Sequence, residues 1–309
     1  MPRSVRFVPR PGCLVEVTTR TIQSRLLLLP TLPVNQAIVG VLGRAQKMHD
    51  MVVHSAVFLS NHYHLLLAPN DAEQLSKFMT FVNSNIAREV GRLVGWKEKF
   101  WGRRYQSIPV SDEKEAQIER LAYYLGHGPK ENLVENPLEW PGVHSARALL
   151  EDGRLEGIWF DRSAFYRANK RRKADQPPVN ENDFKTVEVL ELSPLPYFAH
   201  QSAEAQRAAV RSLIDLAVAE AAEKRQEKGT MALGAHRVQQ QHPHQQPNRS
   251  KKSPAPRFHA FSIEIKKVLR AAYAEFAAAF QVASEKLRGG DRGAVFPEGC
   301  FPPALPFCA

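Results

Sequence analysis

Two runs of residues, Met51 to Leu59 (MVVHSAVFL) and His62 to Ala68 (HYHLLLA), are separated only by Ser60 and Asn61. Both runs are rich in apolar and β-branched residues, and Ser-Asn has tight-turn chemistry. The pattern predicts a β-hairpin, and a hairpin commits every residue of its second strand to one face or the other. Side chains two apart share a face, so His62 and His64 project together while Tyr63 points to the opposite side. Two imidazoles on one face can share a divalent ion, which in a partly open site activates bound oxygen groups. A pair of partly buried histidines, each satisfied by hydrogen bonds, has the same spacing. The pair alone leaves both readings open.

The flanking patterns supply the remaining elements. Cys13 to Thr19 (CLVEVTT) reads as a first strand. Val34 to His49 repeats apolar residues at helical spacing through Ile38, Val41, Leu42, Ala45 and Met48. Asp71 is an N-cap for a second helix that turns Leu75, Phe78, Phe81, Val82 and Ile86 inward. Ser107 to Val110 is a short strand, which Pro109 assigns to a sheet edge or a bulge. Ser111 is then a cap for a third helix from Glu115 to about Gly126. Strand, helix, strand, strand, helix, strand is the order of the split βαβ arrangement. The expected fold class is therefore α+β: a ferredoxin-like or RRM-like antiparallel sheet with helices on one face, followed by a mostly helical C-terminal extension.

Beyond a helix at His144 to Leu150 the composition changes. Asn169 to Lys173 is a basic run, and residues 166–182 read as a basic, polar linker. Ala203 to Lys228 and Phe261 to Leu287 are strongly helical. Residues from about 236 to 257 (with QQQHPHQQPNRSKKSPAP at their centre) read as disordered. Within them, His242 and His244 repeat the HxH spacing without an apolar strand around it, and read as solvated tail. The expected domains are thus 10–165, the linker 166–182, and the extension 183–309.

The net charge of +10 and pI near 9.6 favour a polyanionic partner. Lys97, Lys99, Trp101, Arg103, Arg104 and Tyr105 mix positive charge with aromatic faces, which suits phosphate contact and base stacking. No apolar run approaches the roughly 20 residues of a membrane span. Cys13, Cys300 and Cys308 are too few for a disulfide framework, which makes a reducing cytoplasm the expected location.

A third ligand for the histidine pair lies downstream in Leu121-Ala-Tyr-Tyr-Leu-Gly-His-Gly128. Tyr123 and His127 are four apart and hence neighbours on one helical face. A tyrosine beside a metal-bound histidine is a sensible nucleophile for phosphodiester cleavage. At this point the chain resembles the single-tyrosine HUH transposases, and more closely the REP-associated tyrosine transposases. His62-Tyr63-His64 matches that family's histidine–bulky residue–histidine motif in the context SNHYHLLL. Aligned without a gap from Leu133-Val134, the family's tyrosine falls on Tyr123 and its metal-binding asparagine on His127. Here the chain departs, with His127-Gly128 in place of asparagine-proline. A one-residue gap would nominate Tyr124 instead. Glu139-Trp140-Pro141 and His144-Ser145 resemble the segment that ends the family's core.

The resemblance implies a Mg²⁺ or Mn²⁺ ion held by His62, His64 and His127. It also implies a covalent 5′-phosphotyrosine on Tyr123 and a partner of single-stranded DNA with hairpin or palindromic repeats, with homodimer formation left open. Its location would be the bacterial cytoplasm, with the nucleoid. Two alternatives carry different expectations: a domesticated DNA-binding protein that has lost chemistry, and a structural metal site, such as Zn²⁺, in an RNA-binding sheet.

Overall fold

The fold was analysed in a computed structural model, which describes residues 5–173, 175–248 and 256–301. The elements in chain order are β1 Val15–Arg20, α1 Leu32–His49, β2 Val52–Leu59, β3 His62–Ala68, α2 Ala72–Leu93, β4 Gln106–Pro109 and α3 Lys114–Leu125. They continue with α4 Ser145–Leu150, β5 Arg154–Phe160, α5 Arg162–Arg171, β6 Lys185–Glu191, α6 Ala203–Lys228, α7 Ala235–Gln239 and α8 Ile263–Arg288.

The first four strands form one antiparallel sheet in the order β2-β3-β1-β4, with β1 and β3 central. This is the ferredoxin-like order, and it leaves the proline-bearing β4 at an edge, where a missing N–H costs least. One sheet face buries Val15, Val17, Tyr63, Leu65 and Leu67 against the apolar sides of α1 and α2. Asp71 caps α2 by accepting from Gln74 N. The other face carries Leu14, Val57 and Leu66, covered by Leu121, Tyr124 and Leu125 of α3, Ala146 of α4, and Val210 and Ile214 of α6. The C-terminal extension therefore helps to cover the face from which the histidines project.

Several local expectations differ from the structure. Glu113, not Ser111, stands at the N-cap of α3, and it makes no side-chain cap bond. Its carboxylate instead accepts from the Ser111 hydroxyl and from Phe261 N and Ser262 N, tying the start of α8 to the core. The stretch read as linker is spanned by α5 up to Arg171, and the chain then returns as β6 to pair with β5 along its whole length. This second hairpin lies on α1 at very close range. A Cβ on Gly40 would stand 2.2 Å from the Ile158 carbonyl, and one on Gly157 2.4 Å from Gly40 N. Only glycines permit that approach.

Of the segment expected to be disordered, residues 249–255 lie outside the described residues. Elsewhere in it, α7 buries Val238, and Gln245 O accepts from Leu26 N. His244 Nε2 stands 2.7 Å from Val94 O, so this histidine is engaged rather than solvated. Cys308 also falls outside the described residues. Among the described residues, no helix is long and apolar enough to cross a membrane.

Candidate active site

The hairpin presents the histidines as its alternation requires. Tyr63 is fully buried, stacks on Phe58 at 4.8 Å between ring centroids, and donates to Asn83 Oδ1 at 2.7 Å. That anchor on the α2 side fixes the strand and holds His62 and His64 on the α3 side. In register, His64 lies opposite Val57 of β2 and Thr18 of β1.

His127 arrives from beyond the end of α3. The chain turns through Gly128, whose φ of +96° favours glycine, and a Cβ there would stand 2.8 Å from Val134. Glu131 closes this turn, with Oε2 accepting from Gly128 N at 2.8 Å and Oε1 2.9 Å from His127 Nδ1. The three imidazoles gather as expected: His62–His64 ring centroids are 5.2 Å apart, His64–His127 4.7 Å and His62–His127 6.0 Å.

Each of these rings has an oxygen acceptor at Nδ1: Asn61 Oδ1 at 2.6 Å for His62, Glu16 Oε1 at 3.1 Å for His64, and Glu131 for His127. With Nδ1 donating, all three present the Nε2 lone pair, the arrangement in which outer acceptors orient metal-ligating histidines. Burial, then the neighbouring His64, Arg20 and His127, holds the His62 pKa well below its ordinary value. Burial also lowers His64, partly offset by Glu16. Both rings are thus neutral at pH 7, as metal binding requires.

Whether the cluster suits an ion can be tested on its spacing. Among the described residues, no group of three His, Cys, Asp or Glu side chains stands ready to hold a metal ion. An ion at about 2.1 Å from each Nε2 would set the ring centroids about 4.6–5.3 Å apart for ligand angles between right and tetrahedral. Two of the three separations lie in that range, and the third, at 6.0 Å, is wider. The Nε2 of His127 is buried without a hydrogen-bond partner. Three imidazoles are a donor set with the chemistry of a divalent-ion site, in which His62, His64 and His127 would be the ligands.

The two tyrosines have different surroundings. Tyr124 is fully buried and its hydroxyl donates to Leu65 O at 2.9 Å, so it is committed to the core. Tyr123 is partly exposed, with its ring centroid 4.7 Å from that of His127 and 5.4 Å from that of His64. Lys130 lies over the Tyr123 ring at 4.3 Å and Arg120 at 5.0 Å. Burial, Glu16 and Glu131 push its pKa up, whereas Arg120 and Arg20 pull it down. Tyr123 opens into a cavity of about 440 Å³ walled on the far side by α6, including Lys224, Arg225 and Lys228.

The segment expected to contact DNA divides. Lys97, Lys99, Arg103 and Arg104 are exposed. Trp101 and Tyr105 are not free stacking faces, which corrects their expected role. The Trp101 indole donates to Asn83 O at 2.9 Å and its ring meets Tyr63 edge-on, while Tyr105 is buried beneath Arg6. The packing demand of the α2 side takes both rings inward.

Several residues of the site escaped the sequence reading. Glu16 is buried beneath His64, with Arg120 Nη1 at 3.5 Å and His259 Nε2 at 2.7 Å from its Oε2. Burial alone would raise this carboxyl's pKa, but His259 and His64 outweigh it and hold the group ionised. A charged residue inside the apolar run CLVEV was the available signal. Glu131 sits four residues after His127. Nothing in the sequence around His259 connects it to β1.

Three imidazoles, each with an acceptor at Nδ1, thus stand beside a partly exposed tyrosine on a ferredoxin-like sheet. Residues 20–124 match the model of the family "Transposase IS200 like", a stretch that includes His62, His64 and Tyr123. Among solved structures it is similar to a REP-associated tyrosine transposase bound to a REP hairpin. That likeness has 15% identity, a TM-score of 0.38, and coverage of 46% of this chain and 81% of the other. It is also similar to a Deinococcus radiodurans protein assigned as a transposase, at 17% identity and a TM-score of 0.29, with 39% and 94% covered. No curated protein matches the sequence.

Proposed function

We propose that this protein is a transposase that binds single-stranded DNA folded into hairpins, cleaves it through Tyr123, and rejoins strands. The observation that carries the reading is the gathering of His62, His64 and His127, each with Nδ1 engaged and Nε2 available, against the ring of Tyr123.

A divalent ion bound by His62, His64 and His127 would supply Lewis-acid polarisation of the scissile phosphate. Three nitrogen donors favour Mn²⁺ over the oxygen-seeking Mg²⁺. The Tyr123 hydroxyl oxygen attacks phosphorus, and the bond from phosphorus to the 3′ oxygen breaks. The phenol gives up its proton and the departing 3′ oxygen takes one up, so the proton count is unchanged. Burial raises the Tyr123 pKa, and Arg120 and Arg20 pull the other way, toward the phenolate. A phosphotyrosine keeps the ester bond energy, so a second 3′ hydroxyl can reverse the step and join a new end.

The test is a labelled single-stranded hairpin incubated with Mn²⁺ and resolved under denaturing conditions. Wild type should carry the label covalently and Tyr123→Phe should not. Retention of the adduct by Tyr123→Phe would remove the mechanism. Hairpin binding with no adduct under any divalent ion would instead assign a binding-only role.

A further inference from the structure

The edge strand β4 borders a second concavity, of about 690 Å³, formed by three distant parts of the chain: residues 5–7, residues 99–109, and the segment from Pro256 to Tyr273. Five cations line it, Arg6, Lys99, Arg103, Arg104 and Arg257, and no carboxylate does. None of the five is in an ion pair among the described residues, whereas Arg10, Arg44, Lys47, Arg92 and Arg162 elsewhere are paired.

The groove is also built, with charge held in place. The Arg6 guanidinium lies between two rings, 4.3 Å from the Tyr105 centroid and 4.1 Å from that of Phe301. Its Nε and Nη1 are buried without hydrogen-bond partners, as is the Ser107 hydroxyl. Buried donors without acceptors cost about 1–3 kcal/mol each, more when charged, so a groove that keeps several is suited to a ligand that supplies acceptors. Arg257 covers the Tyr273 ring at 5.1 Å. Arg6 is taken up by its two rings, so the outer face of Arg257, rather than a bare aromatic ring, is what the groove offers to a base.

Position connects the groove to the candidate site. Gln106, which lines it, pairs with Thr18, and Thr18 pairs with His64, so the three share one row across the sheet. At about 4.8 Å per strand, Gln106 lies about 10 Å from His64.

We propose that this groove binds the phosphodiester backbone of a single DNA strand that continues from the histidine cluster across Thr18 and Gln106. It is a site separate from the cleavage centre, and the path assigned to the strand rests on the DNA-cleaving reading above. A concavity of this volume takes a molecule of nucleotide scale and not a duplex.

The experiment uses the full chain, fluorescein-labelled oligothymidine as the probe, and a blunt DNA hairpin without overhang as the duplex control. The variant is Lys99→Glu/Arg104→Glu/Arg257→Glu, three exposed positions outside the histidine–tyrosine cluster, and an unchanged thermal melt verifies its fold. Wild type should bind oligothymidine, and the variant at least tenfold more weakly at about 100 mM salt. Its log Kd against log salt slope should shrink by about 2, from roughly 0.7 per lost contact on single strands. Blunt-hairpin binding should be unchanged. Equal oligothymidine affinity in variant and wild type overturns the proposal, as does wild-type preference for oligouridine. Because binding is read without cleavage, loss of the adduct in the Tyr123 assay leaves this result standing, and the reverse holds equally.

Discussion

Replacing Gly40 by alanine gives the sharpest test of the packing described above, because two effects of opposite sign compete. In an exposed helix the change would stabilise by about 0.5–1 kcal/mol through helix propensity. Here the new methyl would stand 2.2 Å from the Ile158 carbonyl carbon and oxygen and 2.6 Å from Trp159 N, where ordinary contact begins near 3.4 Å. These atoms are backbone, so no side chain can swing away, and the β5–β6 hairpin must lift by more than about 1 Å. Overpacking of this kind costs about 1–3 kcal/mol or more. Lifting also loosens Trp159 from its stack on Phe81 and Leu190 from the core. The expected net is a loss of about 2 kcal/mol, visible in urea unfolding as a midpoint lower by roughly 0.7–1 M. Gly157→Ala should cost a similar amount, and the double variant less than the sum, since one displacement relieves both clashes. A Gly40→Ala midpoint at or above wild type would refute the reasoning.

Further outcomes follow from single contacts. Tyr124→Phe should lose about 1–2 kcal/mol of stability, because it removes the buried bond to Leu65 O, while leaving the DNA adduct intact on a denaturing gel. Glu16→Gln should weaken Mn²⁺ binding about 10–100-fold in calorimetric titration, since Glu16 orients His64; unchanged affinity would deny that role. His144 is fully enclosed and caps α4 by accepting from Ala146 N, and burial, then the nearby His127, holds its pKa down at about 3. The unfolded chain takes up this proton first, so His144's contribution is complete above about pH 6.5. It drains away as pH falls toward 3, by up to about 5 kcal/mol. His144→Gln should flatten that stretch of the stability–pH curve measured by urea unfolding.

The sequence was most informative where local chemistry and tertiary need agree. The β2–β3 hairpin, the face of His62 and His64, the edge position of Pro109 and the amphipathic α1 and α2 all follow from period and turn residues. The gathering of His127 with that pair was also legible, because a helical i,i+4 step links it to Tyr123. The β5–β6 hairpin was not, since Lys185, Glu188 and Glu191 give its second strand a polar reading. Glu188 is nonetheless buried, its charge met by Lys47 and Arg44 of α1. Trp101 tucked into the core was one of two readings of its loop, but the inward turn of Tyr105 was not legible, since it depends on Arg6 offering a partner that no local pattern announces. His259 lies beyond any such signal, because its partner is almost a whole chain length away.

The contact between His259 and Glu16 sets an order of events during synthesis. Glu16, His62, His64, Tyr123 and His127 all leave the ribosome well before His259. At typical elongation rates the interval from His64 to His259 is roughly 10–40 s. Once Arg120 has followed, it is among the described residues the cation of fixed charge beside the carboxylate behind His64. The residue that completes its surroundings arrives on the same segment that Glu113 clasps at Phe261 and Ser262. A chain cut short before this clasp would keep every residue of the motif and still lack the support beneath it.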